Sequence, residues 1–143
     1  MYEFRRFYLE KFEEAKRWFL QALRDLKAAR DSVKAGNYEW ASFQAQQSAE
    51  KAAKALLYGL GIGAWGHSLV ELLELMKSED VEEIIVYARE LDRHYIPSRY
   101  PNSFESGYPG MYYDKETAER AIKICEAIMD WAKRRLERLG LKL

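Results

Sequence analysis

Arg89 and His94 stand five positions apart in the stretch RELDRHYIPSRYPN, which runs from Arg89 to Asn102. An arginine and a histidine could form a reaction centre. The imidazole can take or give a proton, while the guanidinium faces negative charge that builds in a transition state. On a helix turning about 100° per residue, positions five apart lie about 140° from each other, so a straight helix does not put both on one face. Either the helix end unwinds or a second copy of the chain supplies one partner. Otherwise the two are polar residues flanking the end of an amphipathic helix.

Other residues offer binding rather than bond-breaking chemistry. Arg99, Tyr100, Tyr108, Tyr112 and Tyr113 combine a planar cation with aromatic faces, which suits a phosphate and a stacked base. The competing reading is a tyrosine-rich loop packed on the protein, with Arg99 tied to a carboxylate. Asp25 is the carboxylate to test, as a structural tether of the SRYP segment: it lies about 60° off the centre of an apolar stripe, beside Trp18, where it needs a cation or an N–H. Phe43, Gln47, Glu50, Lys54 and Leu57 form a second surface about 80° to 160° away from an alanine stripe. Two apolar and three polar members suit a homodimer or partner interface; equally, Glu50 and Lys54 form an ordinary i,i+4 pair on a solvated face.

Several chemistries drop out. With two histidines and one cysteine, zinc has no ligand set, and no cofactor is expected. GIGAWGHS has neither a strand before it nor the Lys-Ser/Thr ending of a phosphate loop. His67 reads as the residue leading into a helix cap at Ser68. Cys125 falls in a helical repeat as a small buried apolar residue and cannot form an intrachain disulfide.

The elements that carry these residues follow from periodicity. Ala15, Trp18, Phe19, Ala22, Leu23, Leu26, Ala29 and Val33 recur at three- and four-residue steps, a stripe that Phe4, Phe7 and Phe12 extend toward the N-terminus. Gly36 ends this helix and Asn37 caps the next. A second helix, Tyr38 to about Tyr58, lines up Ala45, Ala49, Ala52, Ala53, Leu56 and Leu60, alanines suiting close helix approach. Ser68 with Glu71 is a capping box opening a short helix to about Met76. Asp80 is placed to cap a fourth, whose seam is Ile84, Ala88, Leu91 and Tyr95 and which Pro97 stops. Asp114 caps the last, from Ala118 through Leu139 to Gly140, whose basic end KRRLERLGLK complements the helix dipole. Between them Ile96 to Tyr113 is an eighteen-residue connection with four tyrosines and three prolines, long enough to be a lid, a binding loop or an interface. The fold expected is all-α, an antiparallel up-and-down four-helix bundle with an additional short helix, as one domain over residues 1–143.

Composition bounds the rest. The 143 residues, 48% hydrophobic, suffice for a core burying roughly two thirds of the unfolded surface. Twenty-three basic and twenty-three acidic residues create no global field for a polyanion. The longest uncharged run, 55–70, holds four glycines and is too short to span a bilayer, and the charged N-terminal stretch lacks an apolar h-region. A cytoplasmic protein with no membrane contact is expected.

Four blocks in order, WFLQALRDLKAARDSVKAGNYEWASFQAQQSAEKAAKALL at 18–57, GHSLVELL at 66–73, LDRHYIPSRYPN at 91–102 and a helix after YY at 112–113, resemble HEPN domains. The resemblance covers about 120 residues. It implies a helical bundle that pairs into a homodimer, is often encoded beside a minimal nucleotidyltransferase, and acts with it as toxin and antitoxin. It also implies nucleotide binding in relatives. Many catalytic members resemble metal-independent ribonucleases that use an arginine, four to six residues and a histidine, a spacing Arg89 and His94 satisfy. Glu90 follows Arg89 where that motif has asparagine or aspartate, and the block also resembles a subgroup with a YIPSRYP-like segment in which the two need not be a catalytic pair. The function expected is a HEPN-type homodimeric binding module, partner of a minimal nucleotidyltransferase and a binder of nucleotide or RNA; the alternative is a toxin ribonuclease.

Overall fold

A computed structural model describes residues 2–143; the side chains of Tyr2 and Phe4, and with them the expected place of Phe4 on the stripe, lie outside the described residues. The elements are α1 (Tyr2–Lys34), α2 (Tyr38–Gly59), α3 (Leu69–Glu74), α4 (Glu82–Asp92), α5 (Pro109–Tyr112) and α6 (Lys115–Arg138), with single 3-10 turns at Glu79–Val81 and Pro101–Ser103. No strand occurs among the described residues. Nor is any helix among them long and apolar enough to cross a membrane.

The local signals explain most boundaries. Gly36 takes φ +81°, a backbone state open to glycine at no steric cost, and turns the chain from α1 into α2. Asn37 stands at the start of α2, but its side chain makes no capping bond, contrary to the expected cap. The Ser68 hydroxyl accepts from Glu71 N–H and the Asp114 carboxylate from Thr117 N–H, as expected of both caps. Asp80 caps nothing; its carboxylate instead meets the Arg135 guanidinium on α6. Gly140, at φ +100°, ends α6, and the reversal it permits folds Leu141 into the core while Leu139 stays partly exposed.

A hairpin of α1 and α2 forms the spine, α6 packs along α2, and α3 with α4 closes one side as an antiparallel bundle. Helix α2 is the centre because its buried face is mostly alanine. Ala41, Ala45, Ala49, Ala52, Ala53 and Ala55 are fully buried, so neighbouring backbones approach closely on both sides. Its few large residues, Leu56 and Leu57, meet Leu69, Leu72, Leu73, Ile128 and Leu136 in one continuous core, each buried leucine contributing about 2 kcal/mol. Ser48 finds its partners inside the bundle: its hydroxyl donates to Ala22 carbonyl oxygen of α1 at 2.7 Å and lies 3.2 Å from Met129 Sδ of α6. Cys125 is buried beside it, its thiol pushed up to about 12 by burial, an unreactive core residue. Leu60 and Phe7, placed on stripes by periodicity, are substantially exposed near helix ends, and so is Leu23, which sits at the edge of the buried line of Ala15, Phe19, Ala22 and Leu26.

Candidate ligand-binding site

Where α2 faces the turn after α4, three segments converge. From α2 come Phe43, Gln46, Gln47 and Glu50, one above another at three- and four-residue steps. From the loop before α3 comes His67. From residues 93–99, a run of tight turns forced by Pro97, come Tyr95 and Arg99.

Glu50 is 2% exposed, and its Oε1 lies 3.0 Å from His67 Nδ1. Burial pushes the Glu50 carboxyl above the ordinary carboxylate range, against the pull of Lys54 and His67. The Lys54 ammonium, 4.0 Å from the second carboxylate oxygen, also sits 5.3 Å over the Trp18 ring. The His67 side chain is 60% exposed, and its ring stacks on Tyr95 with centroids 5.3 Å apart and planes 16° from parallel. Arg99 lies over the same tyrosine at 4.7 Å, over Phe43 at 4.3 Å and over Tyr100 at 5.0 Å, with its Nε donating to the Tyr95 carbonyl oxygen at 2.9 Å. Among the described residues no carboxylate pairs with Arg99. A guanidinium held among aromatic rings, its terminal N–H groups without a hydrogen-bond partner among the described residues, is a ready receptor for a phosphate.

Asp92, which sequence reasoning missed, locks this arrangement. Its carboxylate accepts from Leu69 N–H and Val70 N–H, each at 3.0 Å, from Ser68 Oγ at 3.3 Å and from Gln46 Nε2 at 3.1 Å. The negative charge expected from Glu71 at the start of α3 is thus supplied from α4. Gln46 donates also to the His67 carbonyl oxygen at 3.2 Å and accepts from Gln47 Nε2 at 2.8 Å, so the loop bearing His67 is pinned from two helices. One signal could have found it: Gln46 interrupts the buried alanine face, and a buried amide must have partners.

The other predicted residues separate. His94 is half-buried, its Nδ1 2.9 Å from the Tyr113 hydroxyl, and burial lowers its pKa so that the imidazole favours the neutral form. Burial also pushes the Tyr113 phenol up to about 12. Arg89 is exposed and lines the groove between α3 and α4 with Leu73, Lys77 and Glu82. Although the chain after Leu91 does tighten to i→i−3 bonds, no hydrogen bond joins the Arg89 and His94 side chains among the described residues, and the imidazole is turned to Tyr113. Glu90 pairs with Arg120 of α6, which holds its carboxyl below the usual range.

Asp25 does not tether Arg99: it accepts from Lys51 Nζ and from Gln21 Nε2 at 2.9 Å, because α2 presents Lys51 directly across the helix pair. Of the five residues assigned to an interface, Leu57 is wholly inside the core and Glu50 and Lys54 are buried within the protomer, leaving Phe43 and Gln47 partly exposed. Their angle from the alanine stripe is covered by α3 and its loop, a segment whose position periodicity does not give. Tyr100 joins Arg99, whereas Tyr112 stacks on Phe104 at 4.3 Å and donates to the Ser106 carbonyl oxygen, and Tyr108 projects from the same subloop.

The HEPN domain profile matches residues 15–136. The chain belongs to the HEPN family. Three solved structures share the HEPN-type bundle, each covering 85% of this chain. TT1696 from Thermus thermophilus is 38% identical over 97% of its own chain, with a TM-score of 0.81. ST0689, an archaeal HEPN homologue, is 39% identical over 97%, with a TM-score of 0.74. A HEPN domain protein of Thermotoga maritima is 33% identical over 98%, with a TM-score of 0.69. A Methanocaldococcus jannaschii protein named "Putative toxin MJ1304" is 31% identical, over 90% of this chain and 92% of its own.

Proposed function

We propose that this HEPN protein is a homodimeric binding module, acting in the cytoplasm as one half of a toxin–antitoxin-like pair with a minimal nucleotidyltransferase, and taking a nucleotide or RNA phosphate at Arg99. The observation that carries the binding reading is the Arg99 guanidinium among Phe43, Tyr95 and Tyr100, without a carboxylate partner among the described residues. Such a cation contributes to phosphate affinity because no internal ion pair has to be broken first. Tyr100, and beyond it Tyr108 and Tyr112, are exposed rings available to a base. The toxin-like role rests on the Methanocaldococcus relative's name. Calorimetry with nucleotides and a short RNA is the test: saturable binding that Arg99→Ala abolishes is expected, and no binding of any of them by the unaltered protein removes the reading. Light scattering and co-purification with a nucleotidyltransferase encoded by a neighbouring gene test the dimer and the partner.

The alternative is a metal-independent ribonuclease that uses Arg89 and His94. The neutral imidazole favoured by burial of His94 is the form a general base needs. On this reading Arg89 reaches His94 from a second protomer. RNA cleavage by the purified protein that disappears in both Arg89→Ala and His94→Ala is its signature.

A further inference from the structure

A neutral imidazole has one nitrogen with a lone pair, and only that nitrogen can take a proton as a base. In the protomer the Tyr113 hydroxyl lies 2.9 Å from His94 Nδ1, with the two rings edge to face at 5.4 Å. Burial pushes the phenol up to about 12, so it keeps its proton, and the hydroxyl has no other hydrogen-bond partner among the described residues. A partly buried O–H needs an acceptor. Nδ1 is the acceptor within reach, so Tyr113 donates to it and the imidazole proton sits on Nε2. The one lone pair of His94 is then taken, and a neutral Nε2–H is neither a base nor an effective acid.

We infer that Tyr113 is an autoinhibitory restraint, which occupies the basic nitrogen of His94 in the resting protomer and frees it when the segment carrying Tyr113 is lifted away. The inference rests on the ribonuclease reading above and adds its regulation. The segment is short and held at both ends. Tyr113 N–H donates to the Pro109 carbonyl oxygen at 3.1 Å, and the next residue, Asp114, caps α6. On the histidine side, Ser98 Oγ donates to the His94 carbonyl oxygen, so the backbone that carries the imidazole is fixed as well. Tyr108 and Tyr112, exposed on the same turn as Tyr113, give the bases of an RNA substrate a hold on that segment. Arg89 lies in the groove between α3 and α4, so both members of the pair are out of use in the resting protomer.

The experiment joins NMR to cleavage, both on the full chain. Long-range 1H–15N spectra, with His67→Gln to tell the two histidines apart, should show His94 neutral with its proton on Nε2. Tyr113→Phe should show both tautomers. A proton on Nδ1 in the unaltered protein overturns the inference whatever the activity, and this measurement needs no variant of Tyr113 to fold. Cleavage of a short RNA should be about tenfold faster in Tyr113→Phe, the worth of one hydrogen bond, and should vanish when His94→Ala is added. A tyrosine that merely supports the fold would give the opposite sign. Cleavage by Tyr113→Phe that is equal to or slower than that of the unaltered protein overturns the restraint and leaves the ribonuclease reading standing. Absence of cleavage by both chains overturns the two together.

Discussion

Two titratable side chains shifted by burial in this HEPN protein respond to pH in opposite directions. His94 has a depressed pKa because its surroundings cannot solvate the imidazolium. The unfolded chain, with its ordinary value near 6.5, therefore binds the proton more readily, and stability falls as pH drops below that value. Thermal melts from pH 8 to 5 should show this loss, and His94→Gln should flatten it; an identical slope in the variant would mean that His94 is not the titrating group. Glu50 has a raised pKa, so the folded chain holds the proton longer, and stability falls as pH rises from about 4.5 through the folded value. Glu50→Gln should melt no lower than the unaltered protein at pH 7, with its relative advantage growing as pH rises above about 4.5. A carboxylate that costs stability and yet orients an exposed histidine fits a site selected for binding.

At the scale of elements, α3 is six residues long and too short to hold itself together. Its stability is borrowed from Ser68 and from Asp92, whose carboxylate takes two of its free amides. Asp92→Ala strands those amides and Gln46 together, and a loss of about 3 kcal/mol is expected in denaturant melts. Hydrogen exchange should rise first in residues 66–74, which would also release His67; uniform loosening of all helices would argue against this local role. The turn after α4 works the same way. Ser98 Oγ donates to the His94 carbonyl oxygen and Arg99 Nε to that of Tyr95, satisfying helix-end carbonyls with side chains where Pro97 forbids another turn. Arg99 is thereby fixed in direction before any ligand arrives.

For the molecule as a whole, α2 sets the spacing of α1 and α6. Because Ala49 is fully buried in the core and Ser48 beside it touches both neighbouring helices, Ala49→Leu should overpack the centre and cost about 2 to 3 kcal/mol. The readout is the denaturation midpoint, and an unchanged midpoint would show that α1 and α6 can slide apart freely. The buried α2 face brings distant segments together at one end, where Phe43, His67, Tyr95 and Arg99 meet.

Helix positions, the glycine and aspartate punctuation at Gly36, Asp114 and Gly140, and the all-α bundle were legible in the sequence, because each rests on interactions within a few residues. The importance of Arg99 with Tyr100 was legible as chemistry, without its surroundings. Its partners were not: Glu50 meets His67 across 17 positions, Asp25 meets Lys51 across 26, and Gln46 meets Asp92 across 46. Periodicity gives the face on which a side chain lies, but not which neighbour covers that face or at what axial offset. A shift of one residue along a helix moves a side chain by about 1.5 Å and turns it by about 100°, enough to exchange one partner for another. Helix packing alone decided that Glu50 and Leu57 lie inside, that Arg99 is free of Asp25, and that His67 and Arg99 both meet the Tyr95 ring.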